Sequence, residues 1–183
     1  MSKRKVLFLD SRDRDFTVYP SCSNVVFTFF DTMRNVKRIT LLSFAMWFPP
    51  DPAANVLNNI FVIIDGVRGN SSVEFPVQMP PEPLSILAVL QGFNNLPGGL
   101  EDGITLYQAS PEFTPWYIDF PQGINMLTMR IRLAYYDRSL VPGAGPGSIL
   151  PVTGFSWFAE QNEFSKQSNW HAELSVEYSD RPE

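Results

Sequence analysis

One cysteine and one histidine stand among 183 residues. Cys22 alone excludes a disulfide framework within the chain and any zinc site built from several thiolates, and it suits a reducing compartment. Nucleophilic catalysis needs a base beside the nucleophile, and His171 is the only imidazole on offer. Long hydrophobic runs are missing too. No stretch approaches the ~20 apolar residues of a membrane-spanning helix. The opening MSKRKVLFLD offers four apolar residues before Asp10, too few for the core of a signal peptide. The expectation is a protein made in the cytoplasm with no leader and no membrane span. Excess positive charge is absent as well: 14 basic residues against 19 acidic ones give a formal −5. Binding to a phosphate backbone calls for clustered Lys and Arg, so no specific nucleic-acid surface is expected. Lys3, Arg4 and Lys5 are the exception, and they read as a short basic N-terminal arm over residues 1–5.

Aromatic residues and turn formers are plentiful: 15 Phe, 6 Tyr and 4 Trp, with 16 Pro and 11 Gly spread along the chain. Hydrophobic residues make up 44%, too many for a disordered chain. Aromatic runs broken by Pro, Gly, Asn and Asp are the pattern of short strands and many turns, and a helical protein would not carry this much proline. Length and the lack of a linker-like boundary predict one domain over residues 1–183.

Along the chain, Val6-Leu7-Phe8-Leu9 is the first strand candidate. Residues 10–15 alternate in charge and read as an exposed corner. Residues 25–30 are apolar on both faces and predict a strand covered on both sides. Residues 36–47 form a third strand, long enough to bend or bulge, which ends at Pro49, Pro50 and Pro52. Ile60-Phe61-Val62-Ile63-Ile64 runs into Asp65-Gly66, the best tight-turn signal, with residues 73–77 as its pairing partner. Leu84, Leu87, Leu90 and Phe93 recur at helical spacing behind Pro83, so one short helix is expected there.

Strands resume at residues 104–108 and 116–120. Leu127, Met129, Ile131 and Leu133 then alternate with Thr128, Arg130 and Arg132. Ala172, Leu174, Val176 and Tyr178 alternate with His171, Glu173, Ser175 and Glu177. Each is a strand with one dry and one wet face. About nine strands and one helix predict an all-β fold of two packed antiparallel sheets, a single jelly-roll sandwich.

No constellation of residues carries chemistry. Cys22 sits in a turn-like Pro20-Ser21-Cys22-Ser23-Asn24 and makes a poor nucleophile for His171. Asp10, Asp13 and Asp15 are separated by Arg12 and Arg14 and lack the Gly and closing Glu of a calcium loop. Gly143, Gly145 and Gly147 are interrupted by Pro146 and lack the Lys-Ser/Thr pair of a phosphate cradle. Glu160 and Glu163 are acids of the kind any surface loop supplies. No enzymatic activity, cofactor or metal is expected. Trp47-Phe48-Pro49-Pro50 fits a cap on one end of the core, or an exposed anchor for a neighbouring subunit, since aromatics are enriched at interface centres.

Three segments in order resemble one family: Leu7-Phe8-Leu9-Asp10-Ser11-Arg12-Asp13-Arg14-Asp15, then Val25-Val26-Phe27-Thr28-Phe29, then Val36-Lys37-Arg38-Ile39-Thr40-Leu41-Leu42-Ser43. They look like the opening of the penton or minor capsid proteins of double-stranded DNA viruses with double-jelly-roll major capsid proteins: virophages, polinton-like viruses and large nucleocytoplasmic viruses. Pro80-Pro81-Glu82-Pro83-Leu84-Ser85 and the helix expected after it are similar to that family's proline, turn and short-helix insertion, and Asn169-Trp170-His171-Ala172-Glu173-Leu174-Ser175-Val176 to its closing strand. That segment departs from the family's pattern, with Trp170 and His171 where His and Ser would stand.

The resemblance implies a single jelly roll that closes the five-fold vertex of a virion as a homopentamer. Its neighbours would be capsomers of the major capsid protein, and a fibre or spike could dock on its outer loops. A minor cement protein between capsomers and a lectin-like binding module are the alternatives. The interface candidates are Lys3, Arg4, Lys5, Arg12, Arg14, Trp47, Phe48 and Pro49. For a glycan, Trp116, Tyr117, Asn94 and Asn95 are the candidates.

Overall fold

A computed structural model describes residues 2–48, 59–72, 85–93, 105–109, 116–136, 155–157 and 168–179. Among them the chain is all-β. The strands are β1 (Lys3–Asp10), β2 (Asn24–Phe48), β3 (Asn59–Asp65), β4 (Asn70–Ser71), β5 (Ser85–Phe93), β6 (Thr105–Ala109), β7 (Trp116–Tyr136), β8 (Phe155–Trp157) and β9 (Asn169–Tyr178). Every pairing is antiparallel. The described strands join in one hydrogen-bonded sheet in the order β1-β9-β2-β6-β5-β3-β7-β4, with β8 on β7. Because β2 also pairs with β7, the path from β2 through β6, β5 and β3 returns to its start.

The residues expected as two separate strands are one, β2, whose partner over most of its length is β7. Irregularities bend this ribbon. Thr28 faces Thr128 and Met33 faces Met126, so β2 spends extra residues between two rungs. The buried set on β7 changes parity there: Ile118, Phe120 and Met126 on one side, Met129, Ile131 and Leu133 on the other. A further bulge lies between Leu41 and Ser43 on the β9 side. It re-aims the strand, so that Ile39 and Leu41 before it and Phe44 and Met46 after it all point into the core.

That core gathers Leu7 and Leu9, the inward residues of β2, β3 and β7, and Trp170, Ala172, Leu174 and Val176 of β9. Trp170 stacks on Phe44, with ring centroids 5.4 Å apart, and meets the ring of Phe27 edge-on at 5.9 Å. β3 is buried along all of residues 60–64, as its β-branched run suggested. It ends at Gly66, whose φ of +80° is the left-handed geometry a turn glycine supplies without strain.

Several expectations are corrected. No helix forms at residues 85–93: this segment is β5, laddered to β3 on one side and β6 on the other. The spacing of Leu87, Leu90 and Phe93 misled because Ile86, Ala88 and Val89 are apolar too. A run that is apolar throughout fits a strand enclosed on both faces as well as a helix, and Ile86, Leu87, Ala88 and Leu90 are all buried. Residues 25–30 are not covered on both sides, since Phe30 is fully exposed. Leu127, assigned to the dry face, is 48% exposed at the parity change. The basic triplet is no free arm: Lys3, Arg4 and Lys5 pair with Tyr178, Glu177 and Val176. Residues 73–77 lie outside the described residues, and the segment after the Gly66 turn that pairs is β4, on β7.

The two faces of β7 should respond differently to substitution. Ile131→Asp is expected to abolish folding, since an unpaired buried charge costs several kcal/mol, on the order of a whole domain's stability. Arg130→Ser removes a 2.9 Å hydrogen bond to Asn24 from an exposed side chain and is expected to cost about 0.5–1 kcal/mol. Urea unfolding of the two variants checks this, and equal responses would contradict the assignment of faces.

Candidate functional site

The segment expected as an exposed charged corner, residues 10–15, is half interior. Asp10 caps a 3-10 turn (Ser11–Asp13), accepting a 2.8 Å hydrogen bond from the backbone N–H of Arg12. The Arg12 side chain, exposed, closes back on the same carboxylate at 2.5–3.0 Å, and that guanidinium holds Asp10 below the usual carboxylate range. Arg14 turns the other way and is only 4% exposed. Its guanidinium donates to the carbonyls of Ser11 at 2.6 Å, Tyr19 at 3.0 Å and Pro20 at 3.4 Å, and to Asn169 Oδ1 at 3.0 Å. A planar fork of five donors can serve that many acceptors at once, which an ammonium cannot. Phe16 lies over the guanidinium at 4.3 Å.

Ser11 and Trp170 complete the network. Ser11 Oγ accepts from the Trp170 backbone N–H at 2.8 Å and reaches Asn169 Oδ1 at 3.4 Å. The Trp170 indole N–H donates to the Cys22 carbonyl at 2.7 Å. Cys22 is fully enclosed, and burial pushes its thiol from an ordinary 9.0 up to about 12, partly opposed by the charge of Arg14. Cys22 therefore remains a thiol facing the core, whereas His171 is exposed on the opposite face of β9, level with Asp10 and Ala45. Cys22 and His171 form no dyad. Among the described residues no group of three or more His, Cys, Asp or Glu could hold a metal ion.

The outward face carries a row of alternating charge. Arg4 on β1 stands opposite Glu177 on β9, Glu177 opposite Arg38 on β2, and Arg38 opposite Asp119 on β7. Arg38 grips Asp119 with Nε at 2.5 Å and its other nitrogen at 2.8 Å, and lies 4.3 Å over the Tyr117 ring. Directly opposed opposite charges stabilise a sheet by about 0.2–1 kcal/mol per pair. Tyr117 is thereby engaged and Trp116 half-buried against the core, so neither is a free platform for a sugar ring. Asn94 and Asn95 lie outside the described residues.

Of the interface candidates, the structure leaves Lys3, Arg4, Lys5 and Arg12 on the surface and removes Arg14 from it. Trp47 and Phe48 are the last residues of β2, their backbones paired with Leu106 and Thr105; their side chains, and Pro49, lie outside the described residues. Apolar surface occurs elsewhere, at Val6, Phe8, Phe16, Val18, Phe30 and Leu127. Period-2 alternation around Leu7 and Leu9 marks Val6 and Phe8 as outward; bulges hide the same signal for Phe30 and Leu127.

A groove of about 570 Å³ lies between the turn at Gly66 and Arg68 and the β7 segment Phe120 to Asn125. Gly123 there has φ +67°, and a side chain on it would collide with the amide of Asn35, whose own φ is 48°. The Asn35 backbone N–H donates to Asn125 Oδ1 at 3.1 Å.

No protein-family model matches this sequence, and no curated protein matches it. No helix among the described residues is long and apolar enough to cross a membrane.

Two measurements address this network. Arg14→Met strands three carbonyls and Asn169, and is expected to cost about 3 kcal/mol in urea unfolding, with Arg14→Lys recovering only part. A loss below about 0.5 kcal/mol, ordinary for a surface change, would contradict the network. The thiol supplies a pH signature. In the unfolded chain Cys22 ionises near 9.0, while the folded chain resists until about 12. Its contribution is therefore fully present below pH 9.0 and lost as pH rises towards 12. Relative to Cys22→Ala, the parent should lose stability across that window, and parallel curves would contradict the burial of the thiol.

Proposed function

We propose that this chain is a structural protein of an icosahedral viral shell: a single jelly roll that closes the five-fold vertex as a ring of five among capsomers of the major capsid protein. The observation that carries the reading is a contact between two of the segments on which the family resemblance rests. Asp10-Ser11-Arg12-Asp13-Arg14 and Asn169-Trp170 stand at opposite ends of the sequence, and they meet in one buried polar network. Residues that resemble the family are thus the ones that join the first strand region to the last.

The all-antiparallel fold supports the finer jelly-roll reading, while the described strands join in one sheet where two packed sheets were expected. A ring needs a heterologous contact, in which one face of a protomer complements a different face of the next. The net charge of −5 opposes such assembly little at physiological salt, where screening acts within ~8 Å. The work assigned to the chain is holding surfaces together, without catalysis or cofactor, and its place is the virion. A cement protein between capsomers is the same role at another position in the shell. The second reading, a lectin-like binding module, is favoured by the groove beside Arg68 and Asn125, whose volume suits a small ligand.

Reconstruction of assembled particles tests the proposal. Density for this chain at the five-fold vertices is the expected result. Density only between capsomers would move the chain to the cement role. Absence from every particle would overturn the shell reading and leave the binding module.

A further inference from the structure

We infer that β1 is a docking edge for the β1 of a second copy, paired antiparallel about a two-fold axis at Leu7. Among the described residues β1 ladders only to β9 and stands at the end of the sheet path. No described strand pairs with the other side of these eight residues, and such an edge is the kind of surface that folded proteins cover or guard. Leu7 and Leu9 point inward, so Arg4, Val6, Phe8 and Asp10 share the outward face. Two of these are large apolar side chains in the open, Val6 at 43% and Phe8 at 74% exposure.

The occupant follows from the order of these residues. Read along the strand, the outward row is a cation, two apolar residues and an anion. Read in reverse it is an anion, two apolar residues and a cation, so the row complements itself when two copies run antiparallel. With Leu7 opposite Leu7, Arg4 faces Asp10 of the second copy and Val6 faces its Phe8, and each match occurs twice by symmetry. A parallel copy would set like charge against like. A shift of one residue would put inward residues opposite outward ones, which the pleat forbids.

Arg4 also bonds Ser175 Oγ at 2.5 Å and Asp10 holds Arg12. Arg4 is thus tied to β9 and Asp10 to the turn that follows β1, which fixes where both charges stand. One strand pair buries little area, so the contact is weak and depends on concentration. It is independent of the ring proposed above, which needs two different faces.

Sedimentation velocity of the full chain across a dilution series tests the inference. A monomer–dimer equilibrium is expected. Phe8→Lys, which alters an exposed residue, should weaken it about tenfold or more while leaving the thermal unfolding temperature unchanged. Arg4→Asp and Asp10→Lys should each weaken it about tenfold, because two opposed charges become like charges twice over. Arg4→Asp combined with Asp10→Lys restores complementarity and should return dimerisation to near the parent's. A monomer at every concentration, a dimer indifferent to Phe8→Lys, or a folded double variant no tighter than the single ones would overturn the pairing. A five-chain species indifferent to Phe8→Lys would do the same and yet support the ring.

Discussion

Asn24 on β2 faces Arg132 on β7, and the ladder that starts there runs, through three register shifts, to Leu41 opposite Trp116. Each remaining strand attaches to this ribbon directly or through one neighbour. β2 carries β9, which carries β1, and β2 also carries β6; β7 carries β3, β4 and β8, and β5 bridges β3 and β6. The constraint is geometric. Two antiparallel strands of this length can enclose a core only if they bend, and a bend in a paired strand requires residues that the partner does not match. The unmatched stretches between Thr28 and Met33 on β2 and between Asp119 and Ile124 on β7 supply them. Exposed Phe30 and Leu127 are by-products of the same bend.

Arg14 secures the β1–β2 connection to the start of β9. A buried guanidinium is costly unless its donors are satisfied, and here they bond three carbonyls of the loop and the side chain of Asn169. Trp170 adds apolar packing on Phe44 and Phe27 and ties its indole N–H to Cys22. The connection between β1 and β2 is thus fixed to the first residues of β9. This places rigidity where β1 and β9 meet, and among the described residues no strand pairs with the outer edge of β1.

Much of this was legible where period and composition agreed. The alternation in β9 and in residues 129–133, the run at residues 60–64 and the turn at Gly66 all read directly. β5 did not, because a segment apolar at nearly every position carries no period to separate helix from strand. Arg14 was misread for another reason. Sequence places a charge among charges and reports nothing about carbonyls brought close by the fold, so Asp10, Arg12, Asp13 and Arg14 looked alike although only Arg14 turns inward. The bulges were invisible except where a strand was too long to stay straight, as for residues 36–47. The outward apolar pair on β1 was available from the spacing of Leu7 and Leu9, but the adjacent basic triplet suggested an arm instead of an edge.

Native-state hydrogen exchange in dilute solution tests the central claim, that the β2–β7 ribbon is the unit on which the fold rests. Amides in the ladder around Val25, Phe27, Met129 and Ile131 should exchange only through global unfolding, with the full unfolding free energy of the domain. Amides of β1 should exchange through local opening, at markedly lower free energy, because among the described residues that strand ladders to β9 alone. A ribbon that exchanges before β1, or with it at a free energy well below that of global unfolding, would contradict the account.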